Sequence, residues 1–69
     1  MDISKKQIEL LKATELQDGT TALDYVLSWS EADQPWALAG VLSCIEKGYS
    51  LNCLTINWEA RDIRSESHQ

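Results

Sequence analysis

The chain has 69 residues, a net charge of −5 and 43% hydrophobic residues, a composition typical of one small folded domain and unlike that of disordered segments. Lysine and arginine are absent between positions 13 and 46, where six acidic residues lie, so the clustered phosphate contacts that hold nucleic acids are not expected. Two cysteines, a single histidine near the end of the chain and the lack of any apolar run of about 20 residues argue against a disulfide framework, a metal site and a membrane span, and we expect a cytoplasmic protein.

The first predicted element is a helix that begins after Asp2 or Ser4 and reaches Leu16. Asp2 and Ser4 are residue types that cap helix N-termini, and Ile8, Leu11 and Leu16 are spaced as an apolar stripe. An aspartate–glycine step follows and is a strong turn signal. We therefore expect the helix to end there.

A second helix is predicted from Thr20 or Thr21, either of which can cap it, to Trp29 or Ser30. Its spacing places Val26 and Trp29 on a buried face. A short acidic connection then leads into a third helix.

The third helix is predicted from Gln34 to Lys47. Pro35 falls in its first turn, where the missing N–H is harmless, and Gly48 is well placed as the left-handed residue after the last turn. Glu31 and Asp33 precede the helix, near the positive end of its dipole.

The third helix is apolar on two opposite sides. At about 100° per residue, Trp36 points about 180° from Ile45, and a helix that is apolar all round is normally buried all round. The expected core stripe consists of Leu38, Val41, Leu42 and Ile45, and the opposite side consists of Trp36, Ala39, Gly40 and Ser43.

A fourth segment runs from Ser50 or Leu51 to about Arg64. The alternation of apolar residues over 51–58 also suits a short strand, but the good helix formers that follow favour a helix. Positions 65–69 are polar and are expected to be a frayed tail, which leaves residues 1–64 as a single helical domain.

These elements predict an all-α bundle of about four short helices that forms a homodimer, because so small a monomer has few helices with which to surround the third one. The alternative is that the first or fourth helix of the same chain covers the small residues beside Trp36. The predicted dimer interface consists of Trp36, Ala39, Gly40, Ser43, Leu54 and Trp58.

No constellation of nucleophile, acid and base is present, so we expect a non-enzymatic protein without a cofactor or metal. The uniformly acidic middle of the chain suits a target protein with a basic surface, although the same charges also serve solubility. Trp36 is a candidate aromatic anchor for that target. The predicted target-binding residues are Asp18, Asp24, Glu31, Asp33 and Trp36.

In size, acidity and lack of catalytic motifs the chain resembles the small inhibitors encoded by phages and mobile elements; the resemblance is one of type and rests on no motif. It implies inhibition or modulation of the target, for example by covering a basic nucleic-acid-binding surface. The alternative function is a helix-turn-helix DNA-binding regulator, because the third helix, Gly48 and the fourth helix have roughly the required lengths. The fourth helix, however, carries Glu59 and Asp62 against Arg61 and Arg64, too few positive charges to hold phosphates.

Overall fold

The structure, a computed structural model, describes the backbone of residues 4–67 and the side chains of residues 4–66. This part of the chain contains four helices: α1 (Lys5–Ala13), α2 (Ala22–Ser28), α3 (Gln34–Lys47) and α4 (Cys53–Ser67). The predicted all-α bundle of four helices is confirmed, and the segment that also suited a strand is helical from Cys53 onward. None of these helices is long and apolar enough to cross a membrane.

Ser4 caps α1, as one of the two predicted caps, and its side chain accepts from the backbone N–H of Gln7 in a capping box. The alternative cap, Asp2, lies outside the described residues. The helix ends at Ala13, so the predicted end at Leu16 is wrong. Leu16 instead lies in the turn that follows, and its N–H donates to the carbonyl of Thr20 at 2.7 Å, which lets it stay buried outside the helix.

Thr21 caps α2 by accepting from the backbone N–H of Asp24, as predicted. The helix ends at Ser28, so Trp29 is the residue that follows it rather than part of its last turn. Trp29 is half-buried and packs edge-on against Tyr25, with ring centroids 6.0 Å apart.

Helix α3 has the predicted bounds and ends at Gly48, which adopts the left-handed conformation with φ of 73°. The predicted core stripe is partly wrong, because Ile45 is 38% exposed and Leu42 is only half-buried. The buried arc is rotated toward the side that contacts α4. It consists of Ala37, Leu38, Gly40, Val41 and Cys44.

Helices α3 and α4 run in opposite directions and pack against each other. Lys47 Nζ, at the C-terminal end of α3, lies 3.2 Å from a carboxylate oxygen of Glu59, and beside the N-terminal end of α3 Arg64 lies 3.4 Å from Asp33. Helix α4 continues three residues beyond the predicted end, to Ser67, and positions 68 and 69 of the expected frayed tail lie outside the described residues.

The α1–α2 turn and the α3–α4 connection lie at the same end of the bundle. The N–H of Gln17 donates to the carbonyl of Leu51 at 2.9 Å, and the Tyr25 hydroxyl donates to the carbonyl of Cys53 at 3.2 Å. The apolar core between the helices comprises Leu11, Leu16, Ala22, Val26, Ala37, Leu38, Val41, Cys44 and Ile56.

Candidate interaction site

The small-residue side of α3 is covered by α4 of the same chain. A Cβ atom added at Gly40 would lie 2.7 Å from the carbonyl oxygen of Ile56 and 3.1 Å from the Cβ of Ala60. Only glycine permits this approach of the two helices. At Gly40 the structure therefore has the intrachain arrangement that the sequence left as an alternative, and the buried glycine is not available to a second copy of the chain.

The other residues beside Gly40 are also occupied within the chain. Ala39 is half-buried, and the Ser43 hydroxyl donates to the Glu59 carboxylate at 3.5 Å. Glu59 itself is buried, and its ion pair with the half-exposed Lys47 ties the two helices together. The hydrogen bond from Lys47 to Glu59 raises the pKa of the lysine.

Trp36 lines a groove of about 190 Å³ between the α2–α3 segment and α4. Trp29, Asp33 and Trp36 come from the first segment. Asn57, Arg61 and Arg64 come from α4, at i, i+4 and i+7 on one side of the helix. Both indole rings are half-buried and partly open to solvent.

The groove has mixed charge. The carboxylate of Asp33 accepts from the Ser30 hydroxyl at 3.0 Å and from the Arg64 guanidinium at 3.4 Å. Among the described residues Arg61 makes no ion pair. Asp33 and Trp36 thus lie beside two guanidinium groups rather than in the purely acidic surroundings that the local sequence indicated.

The predicted acidic residues fall into two groups. Asp18 and Asp24 are exposed at the end of the bundle that holds the α1–α2 turn. Asp33 lies beside Arg64, toward the other end of α4. Arg64 is eleven residues from Cys53, which corresponds to about 16 Å along the helix axis. The two groups therefore lie toward opposite ends of α4.

Asp18 is held in a turn in which its carboxylate accepts from the backbone N–H of Thr20 at 2.9 Å. This hydrogen bond lowers the pKa of Asp18, so the carboxylate is ionised at neutral pH. Glu31, also predicted to bind the target, is exposed in the α2–α3 connection.

Leu54 and Trp58 are the most exposed large apolar residues of the described chain. Leu54 is 70% exposed and Trp58 is 65% exposed. They are one turn apart on the outer side of α4, opposite its buried residues Ile56 and Ala60. Of the six residues predicted to form a dimer interface, these two are the most exposed, whereas Gly40 is buried and the other three are half-buried.

Sequence reasoning missed Trp29, Asn57, Arg61 and Arg64 as members of the groove. Asp33 and Arg64 are 31 positions apart, and no local pattern connects them. The spacing of Asn57, Arg61 and Arg64 does indicate one side of a helix and was the available signal.

Across residues 4–66 no group of three or more histidine, cysteine, aspartate or glutamate side chains is placed to hold a metal ion. The thiol of Cys44 is buried, which raises its pKa and keeps it protonated, the less nucleophilic form.

No protein family, curated protein or solved structure matches the chain. The features of the molecule that bear on its function are the exposed outer side of α4, the groove beside it and the two acidic groups.

Proposed function

We propose that the chain is a non-enzymatic protein-interaction module that forms a homodimer through the outer side of α4 and modulates a target protein with a basic surface. The exposure of Leu54 and Trp58 carries the proposal. Apolar side chains grouped on a surface, with an aromatic among them, are typical of protein interfaces.

The charge distribution supports self-association through this side of the molecule. The exposed charged residues of α4 sum to zero, whereas the whole chain carries −5. Two copies can approach through α4 without the repulsion that their acidic surfaces would cause. These α4 residues are Arg61, Asp62, Arg64 and Glu66.

The acidic group at the other end of the bundle supports a basic target. Asp18 and Asp24 are exposed, and among the described residues neither forms an ion pair. Carboxylates in this position would compete with phosphate for a target's lysine and arginine side chains, which is how the module would inhibit a nucleic-acid-binding protein.

The charges of α4 disfavour the helix-turn-helix alternative. The exposed charged residues of this helix sum to zero and offer little attraction for phosphates. Arg64 is also engaged with Asp33 instead of being free for phosphate.

Light scattering over a concentration series tests the homodimer. The expected mass is about twice 7.8 kDa at the highest concentration, and a monomer mass throughout the series would refute self-association.

Affinity capture with a variant pair tests the basic target. The double variant Asp18→Asn/Asp24→Asn should lose a salt-sensitive target that the control variant Glu9→Gln retains, because Glu9 is an exposed acid of α1, outside the proposed surface. Equal capture by both variants would refute the assignment of this surface.

A further inference from the structure

The outer side of α4 carries two different flanks. Viewed down the helix at about 100° per residue with Leu54 at the top, Trp58 and Asp62 lie about 40° and 80° to one side. Arg61, Asn57 and Arg64 lie about 20°, 60° and 80° to the other side, where they line the groove. One flank thus presents an indole and a carboxylate, and the other presents a groove with hydrogen-bond donors.

The groove has the size of a side chain rather than of a metabolite. Its volume of about 190 Å³ lies below the roughly 300–1,000 Å³ of small-molecule pockets. Its walls include the indoles of Trp29 and Trp36, which suit an aromatic ring in edge-on or offset contact.

We propose that Trp58 of each copy inserts into the groove of the other copy, a geometry that rests on the homodimer proposed above. A two-fold axis parallel to α4 brings each flank of one helix against the opposite flank of its mate at the same height. Trp58 of the partner subunit then reaches the level of Asn57, and the two copies of Leu54 meet at the axis.

The charges of the two flanks are complementary in this arrangement. The partner's Asp62 lies about 1.5 Å along the axis from the level of Arg61 and about 3 Å from the level of Arg64. Within the described residues neither Arg61 nor Asp62 has an ion-pair partner in its own chain. Arg61 of each copy therefore faces the oppositely charged Asp62 of the partner subunit, and the two-fold axis produces this pair twice.

The area involved indicates a reversible dimer. An aromatic side chain buries about 150–250 Å², so two tryptophans that are 65% exposed, together with the grooves that receive them, account for roughly 400–650 Å². With the two copies of Leu54 the total stays below the roughly 1,200 Å² of stable standard-size interfaces. We therefore expect a measured mass that changes with protein concentration.

Charge reversal across the interface gives a specific test in sedimentation equilibrium at about 50 mM salt, where screening is weak. Arg61→Asp alone and Asp62→Arg alone should each weaken the dimer about tenfold, because like charges then face each other in both halves. An equimolar mixture of the two variants should restore the dimer, since both halves of the mixed dimer pair opposite charges. Both positions are exposed, so helical circular dichroism should be unchanged.

Removal of the aromatic side chain complements the charge test. Trp58→Ala should abolish the dimer, whereas Leu27→Ala should preserve it, because Leu27 is a 53% exposed apolar residue on α2. A dimer that tolerates Trp58→Ala, or single charge variants that the mixture does not rescue, would overturn the proposed geometry and leave the homodimer standing. A wild-type protein that is monomeric throughout would overturn both.

Discussion

Replacement of Gly40 by alanine tests the packing of α4 on α3, because this packing decides whether the substitution raises or lowers the free energy of unfolding. In a helix interior, alanine is favoured over glycine by about 1 kcal/mol, so the local preference alone would stabilise the protein. The structure opposes this gain, because the new methyl group would lie 2.7 Å from a main-chain oxygen of Ile56.

The contact can be relieved only by moving α4. Ordinary van der Waals contact begins at 3.4 Å, so the helix must retreat by roughly 0.7 Å, and a main-chain oxygen cannot rotate away as a side chain can. Overpacking of this kind costs about 1–3 kcal/mol. After subtraction of the helix preference, we expect Gly40→Ala to destabilise the protein by up to about 2 kcal/mol.

Urea unfolding followed by circular dichroism measures this change, with all variants held at one protein concentration because dimerisation adds to apparent stability. Ala39→Gly, one position away, measures the local cost of glycine in the helix. In thermal unfolding the expected loss corresponds to a fall in Tm of up to about 15 °C. A Gly40→Ala variant that is more stable than the wild type would refute the close packing of α4 on this side of α3.

Three further results follow from the structure. Lys47→Met should lower the urea midpoint, because the buried Glu59 carboxylate loses its cation, and Lys47→Arg should recover part of the loss. Ellman's reagent should modify the exposed Cys53 quickly and the buried Cys44 only in urea. The folded-state pKa of Asp18 is lowered, so its ionised carboxylate stabilises the fold above the ordinary pKa of 3.8. This stabilisation is lost as the pH falls through the lowered folded-state pKa. The difference in unfolding free energy between wild type and Asp18→Asn should therefore shrink over that pH range.

Local signals in the sequence predicted the helix boundaries that depend on local chemistry. The caps at Ser4 and Thr21 and the left-handed end of α3 at Gly48 are all observed. The end of α1 was not predictable in this way, because Leu16 is buried outside the helix by backbone pairing with Thr20. An apolar spacing alone does not distinguish the two cases.

The sequence could not decide which helix covers α3. Both sides of α3 are apolar, so the spacing of its apolar residues does not identify one buried side. A small residue such as Gly40 indicates that another helix approaches closely, but it does not indicate which helix. The groove was likewise hidden, because it joins Asp33 to Arg64 across 31 positions. The opposite charges of these two residues carried no information until α3 and α4 were placed antiparallel.

An isotope-filtered nuclear Overhauser experiment on a mixed sample of labelled and unlabelled chains tests most directly whether α4 joins two copies. We expect intermolecular contacts from the indole protons of Trp58 to those of Trp36 and to the Ala60 methyl group, both of which line the groove. A dimer whose intermolecular contacts arise from other elements would contradict the role assigned to Trp58.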